Sequence, residues 1–472
     1  ELSMLDGGTS ASLTSTTVVD ADRLILNDDG TMKQIVVSDL NTYLGSATKL
    51  DDLSDAKSEG DNFTGSLLIG HQTTGTLSAA QYNTAVGLNA LDALTQADKN
   101  TAIGYDALTT ITAGAGASTA IGYGALKANT TGARNTATGH NAMAANTTGS
   151  YNTAYGYGAL ESNTTGQYGV AFGYEALASG TSSLTSTAIG YQALKNDVGG
   201  SNTAVGYGAL NLNTTGGNNV GVGNYALDAN TTGERNTAIG SSALTQNTTG
   251  DRNTASGYRA LRENTTGDDN IAMGHYALDD NTTGIRNIAI GSYAYDAADT
   301  ENDNLAIGYG ALGGTVAGGE YNVAIGNYSL DANTSGDNNV AIGYNALTAN
   351  TTGTSNIAIG YGAYAAADTE SHNLAIGYAA LGGAIAGGEY NVAIGNYTLD
   401  ENTSGDNNVV VGYAGLASNT TGANNTASGY GVLYSNTTGS SNTAVGNYAL
   451  WRTQTGSANT AIGDYAMKQF RT

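Results

Sequence analysis

Apolar and polar positions along most of this chain recur in one pattern, written most plainly at Asn202–Asn218 as NTAVGYGALNLNTTGGN. The unit restarts at Asn219, Asn236, Asn253 and Asn270, a period of 17 residues. As a template it reads N-T-A-I/V-G-Y-x-A-L-x-x-N-T-T-G-x-x. Self-similarity at a fixed period decides the architecture before any local element is read. A helical array needs about 30 or more residues per repeat, and this unit is rich in Gly, Thr and Asn. Short strands are therefore expected at N-T-A-I-G, stacked coil on coil as an all-β parallel solenoid.

Within the strand, side chains alternate between faces. The Thr slot, often Ile271, Ile288, Leu305, Val323, Ile357, Leu374 or Val392, shares a face with the Ile/Val slot. The intervening Ala and the Gly share the other. One face is bulky and branched; the other is flat, and predicts close approach of another backbone at a subunit interface or a tight corner. The nearly constant Leu (Leu210, Leu227, Leu244, Leu261, Leu278) is expected in the coil interior. N-T-T-G reads as a corner, with Asn and Gly in left-handed conformations and Asn and Thr side chains stacked in ladders. Thr138, Tyr155, Ser256 and Ser428 occupy the Ile/Val slot, and a Tyr there is hard to bury in so thin a coil.

The glycine closing each strand recurs from Gly70 to Gly463 at 24 places, with three gaps of 18, one of 16 and the rest 17. About 24 coils follow; at about 4.8 Å per step they predict a rod on the order of 110 Å long. Asn287–Leu347 and Asn356–Leu416 share long stretches at an offset of 69 residues, a duplicated block of four coils. The repeats span 67–472. Residues 1–66 are a different text, read as a joining or trimerising module, with a flexible lead-in as the alternative. There Asp20–Val37 predicts a hairpin about the turn Asp28-Asp29-Gly30, Ser38–Leu44 a short helix capped by Ser38, and Ser46–Gly65 an acidic connector. At the other end Trp451 and Phe470 are expected to cap the open core.

Composition narrows the class. Pro is absent, which suits a ladder that uses most backbone N–H groups. Cys is absent, so disulfides and thiolate metal sites are excluded. The net charge of −24 argues against nucleic acid. No apolar run approaches the length of a transmembrane helix, and no signal peptide is visible. The chain does not begin with Met, so a longer or processed polypeptide is expected.

The S/N-x-A-I-G core and the small-residue turn after it resemble the left-handed β-roll heads of trimeric autotransporter adhesins. The full unit, NTAIGYxALxxNTTG, is more similar to repeats of phage tail-fibre and tail-spike proteins, often found upstream of an endosialidase-type chaperone. ELSMLDGG and DADRLILNDDGTMKQI resemble N-terminal and linker segments of marine phage fibres. The resemblance implies a homotrimeric, left-handed β-roll fibre in a virion tail, bound to other tail or fibre proteins through its N-terminal module. It also implies a role in host attachment, with a surface glycan as one possible target. A bacterial surface adhesin or extracellular filament subunit is the alternative, and a glycan-depolymerising spike a second one.

Candidate chemistry is sparse. His71, His140 and His275 sit in the slot after the glycine, coils apart, and His372 elsewhere, so they form no intrachain metal site. Glu234, Asp251 and Asp268 fall in one column beside Arg235, Arg252, Asp269 and Arg286, which reads as a solvated charge ladder rather than a paired-carboxylate active site. The many N-T-T triplets match the glycosylation sequon but recur because the corner needs them. Calcium-binding nonapeptides are missing, and charges on the corner disfavour an ice-binding face. The 30 tyrosines, many in GY, read as intersubunit packing or as a sugar-binding ladder. No catalytic, cofactor-binding or metal-ligating residue is assigned, no cofactor is expected, and the chain is expected not to be an enzyme.

Overall fold

The computed structural model describes residues 23–28, 31–36, 56–58, 67–69, 80–112, 116–181, 185–314, 319–383 and 388–469. The chain packs as two units, Glu1–Asn152 and Thr153–Thr472. In the first, β1 (Arg23–Asp28) and β2 (Thr31–Val36) form the expected antiparallel hairpin, closing at the Asp28–Thr31 pair. The helix expected at Ser38–Leu44 lies outside the described residues. Within the expected connector, β3 (Ala56–Ser58) pairs antiparallel with β4 (Leu67–Ile69). From β4 a parallel ladder continues through β5 (Thr84–Val86), β6 (Thr101–Ile103), β7 (Thr119–Ile121) and β8 (Thr136–Thr138). The second unit is one parallel ladder from β9 (Thr153–Tyr155) to β27 (Thr460–Ile462), each strand pairing with its sequence neighbours. Nothing among the described residues is helical, so no helix is long and apolar enough to cross a membrane.

Coils join through backbone bonds running both ways. In the coil at Thr237, the N–H groups of Thr237, Leu244 and Thr248 donate to Asn253, Ala260 and Thr265 of the next coil, at 2.8, 3.0 and 2.9 Å. Gly240 and Ser242 donate back to Val222 and Asn224 at 2.8 and 2.9 Å. Every such donor would be lost to a proline, which accounts for its absence.

The inside of the coil is the flat face. In nearly every strand the middle residue alone is buried: Ala238 is wholly buried while Ile239 is 47% exposed. Of the two uses expected for this flat face, the subunit interface does not hold, because the Ala lines the coil interior; the expected close approach of another backbone occurs between successive coils at the strand-ending glycine. The cross-section leaves room inside for a methyl group and one Leu, not for two rows of branched side chains. Where a larger residue enters, another retreats. Val410 replaces the strand Ala, and facing it stands Gly415, whose added Cβ would lie 2.7 Å from the Val410 side chain. The Tyr155 puzzle dissolves too: its slot points outward, and its ring stacks on Phe172 at 4.8 Å.

The left-handed residues are not those expected. Asn and Gly of N-T-T-G take ordinary φ; the Leu after each strand is left-handed instead, as at Leu210 (54°), Leu227 (55°) and Leu244 (52°). A β-branched residue is strongly disfavoured there, and among the described residues this slot holds only Leu, Met143, Met467, Tyr295 and Tyr364. The glycine ending the strand is needed twice over. Gly240 has φ of 136°, and a Cβ on it would lie 2.3 Å from the Gly257 carbonyl oxygen of the next coil.

Candidate functional site

Two columns of buried asparagine run along the coils. The leading Asn accepts on Oδ1 from the backbone N–H of the next leading Asn, as Asn219 does from Asn236 at 2.8 Å, while its Nδ2 donates to the corner carbonyl of Gly233 at 2.8 Å. The corner Asn links side chain to side chain: Asn230 Nδ2 donates to Asn213 Oδ1 at 2.7 Å and to the Gly233 oxygen at 3.0 Å. The N-T-T-G corner thus forms the expected ladder, extended by Thr231 Oγ1 donating to the Thr248 oxygen at 3.0 Å. The sequon asparagines lie inside the coil with Nδ2 engaged, so the folded chain does not offer them to a glycosyl donor.

Ladder gaps are visible as orphaned acceptors. Asn281, Asn350 and Asn436 have buried Oδ1 atoms without a partner, and the next corner position is Ala298, Ala367 and Thr453, which brings no amide. Two of these coils compensate by a paired exchange. Tyr295 and Tyr364 replace Leu and fill the space that Ala298 and Ala367 leave. Their hydroxyls accept from Asn304 Nδ2 at 2.7 Å and Asn373 Nδ2 at 2.6 Å. A third variant corner holds Asp197, buried, accepting from Asn213 and Asn202 at 2.7 and 3.1 Å. Burial, outweighing these bonds, pushes its carboxyl above the usual carboxylate range.

Outside, the predicted charge column pairs as expected. Arg252 binds Asp269 in bidentate fashion at 2.6 and 2.9 Å, and Arg286 binds Asp303 at 2.6 and 2.7 Å. Asp251 and Asp268 accept from the backbone N–H groups of Glu234 and Asp251, both at 2.7 Å. Bonds from Arg252 hold the Asp269 carboxyl below its ordinary range. These carboxylates are thus committed to arginines and backbone.

Tyrosines stack on their own chain. Tyr157, Tyr174, Tyr191 and Tyr207 form a continuous pile at 5.1, 5.2 and 4.9 Å with planes within 9° of parallel. His140 joins such a pile on Tyr123 at 4.8 Å, His275 lies 5.4 Å from Tyr258, and His372 stacks on Tyr390 at 4.9 Å. His71 lies outside the described residues. No group of metal-binding side chains forms among the described residues.

A later stretch of the ring column lines a groove of about 520 Å³ near the end of the second unit. Its floor is small because Ala414 and Gly431 stand at a position where Tyr397 and Tyr448 stand on the flanking coils. Tyr413 and Tyr430 stack on each other at 5.0 Å, and Tyr397 and Tyr448 turn across the stack at 77° and 66°. Tyr434 and Trp451 line the groove, with Asp400 and Glu401 among its polar lining residues. Trp451 thus belongs to a lateral groove, edge-on to Tyr448 at 5.8 Å, rather than to the expected end cap; Phe470 lies outside the described residues. No sequence motif announces the groove, because its members come from columns on four successive coils. Comparisons of the chain with protein-family models, with curated proteins and with solved structures give no match.

Proposed function

We propose that this chain is a structural fibre protein, the shaft of a phage tail fibre, assembled as a left-handed homotrimer that holds and extends a host-attachment element. The observation that carries this reading is the outward strand row. Tyr155, Phe172, Ile239 and Met273 are 51, 53, 47 and 45% exposed on a parallel ladder. Parallel sheets are ordinarily covered on both faces, and a contiguous exposed apolar row marks an association surface. A second copy carries the same row at the same 17-residue spacing, so copies match along their length. The sequence likeness to tail-fibre repeats supports the placement in a virion tail, and the interior hydrogen-bond ladders suit a load-bearing rod. Light scattering on the purified chain tests the assembly: a mass three times 47.5 kDa is expected. A monomeric mass overturns the trimeric shaft. Replacing Ile239 and Ile290 with lysine is expected to lower the mass without unfolding the coils.

A further inference from the structure

We propose that the groove between Tyr397 and Trp451 binds a cationic ligand carrying a methylated ammonium group. Aromatic faces attract cations through the ring quadrupole, most strongly when the cation is poorly hydrated. Tyr397 lies across both of its ring neighbours, at 62° to Tyr378 and 77° to Tyr413, and so does not stack; Tyr448 crosses Tyr430 at 66° but stacks on Tyr465 at 5.3 Å, and Tyr434 pairs with no ring among the described residues. The two charged lining residues are both acidic, Asp400 and Glu401, and neither forms an ion pair among the described residues. Burial first, then the charge of Glu401, raises the Asp400 carboxyl above its ordinary range, which disfavours its charged form; a cation bound beside it would oppose that shift. Two of the groove's own rings, Tyr448 and Trp451, and the adjacent Tyr465 already take the chain's own cations on one side, which shows that these rings suit a cation. Lys468 Nζ lies 4.1 Å from the Tyr465 centroid, 5.2 Å from Tyr448 and 5.3 Å from Trp451, and Arg452 lies 5.2 Å over Trp451. A methylated ammonium adds apolar surface against Ala414, Gly431 and the rings while keeping the charge for the carboxylates.

Trp451 is the chain's only tryptophan, so its fluorescence reports this groove. The full chain is titrated with choline and with 3,3-dimethylbutan-1-ol, its neutral isostere. Choline is expected to give a saturable change, with the isostere weaker by about tenfold or more. Asp400→Asn is expected to weaken choline binding, and Tyr434→Ala to abolish it, with circular dichroism unchanged in both. Equal response to the isostere, no saturation with choline, or saturation by glucose or galactose in its place overturns the proposal. Co-sedimentation with phosphatidylcholine vesicles separates the sources: capture supports a lipid headgroup, and choline binding without capture supports a free small cation. The inference does not rest on the fibre reading, since the mass measurement and this titration can fail independently.

Discussion

Leu244 and Ile239 lie five residues apart in one coil, similar in size and chemistry, yet they occupy surfaces with different rules. Leu244 is fully buried with a left-handed backbone, and its column admits only unbranched-at-Cβ side chains. Ile239 is 47% exposed, and its column accepts Val205, Phe172, Met273, Tyr155 and Ser256. The larger interior changes come in compensating pairs, such as Tyr295 with Ala298 or Val410 with Gly415, while single ones stay close in volume, such as Met143 for Leu. The exterior tolerates larger ones singly. In a coil this thin every interior atom touches the coil above and below, so a local misfit is copied into two interfaces.

The contrast breaks most sharply at the strand-ending glycine. Gly240→Ala places a Cβ against the Gly257 carbonyl in a strained conformation, and is expected to cost about 4 kcal/mol or more; hydrogen exchange should show lost protection in the coils around Gly240. Leu244→Ile keeps the volume but puts a β-branched residue at positive φ, for an expected loss of about 2 kcal/mol. Leu244→Met should lose less than about 1.5 kcal/mol, and thermal unfolding of the pair separates backbone strain from packing. Tyr295→Leu alone opens a void and removes one of the three acceptors of Asn304 Nδ2, for about 2 kcal/mol, mostly from the void. Adding Ala298→Asn should recover most of it, and an additive double mutant would show that the two positions are not a unit.

Asp197→Asn works in the other direction. A raised folded-state pKa means that the stability linked to Asp197 is present below its ordinary pKa and lost as pH rises through the folded value. The Asn variant should therefore melt higher than the parent at neutral pH, with the advantage shrinking as pH falls toward the ordinary carboxylate pKa. Melting curves across that range check it; a constant difference would show that titration is not the cause. The smallest intrinsic effect belongs to the outward row. Ile239→Ser should cost a lone chain no more than about 0.5 kcal/mol; the proposed assembly covers this face, so a larger fall in melting temperature is expected, and an unchanged one would count against the assembly.

Much of the candidate surface was partly legible. The charge column paired as its spacing implied, because residues 17 apart are neighbours once coils stack. The corner ladder was legible for the same reason, although its asparagines turned out to be interior bonds rather than left-handed hinges. The groove was not legible: Tyr397, Ala414, Gly431 and Trp451 look like ordinary variation in separate slots until their columns are laid side by side.

By itself the sequence determined the period, the strand positions, the hairpin turn and the burial of Leu, because all of these are written in spacing along the chain. Which strand face points inward was decided only by the tertiary structure. A three-residue strand offers two faces to the same alternation, and hydrophobicity alone favours burying Ile and Val. The closed coil reverses that preference: its cross-section admits the Ala methyl at the strand centre, and the larger side chains are turned outward.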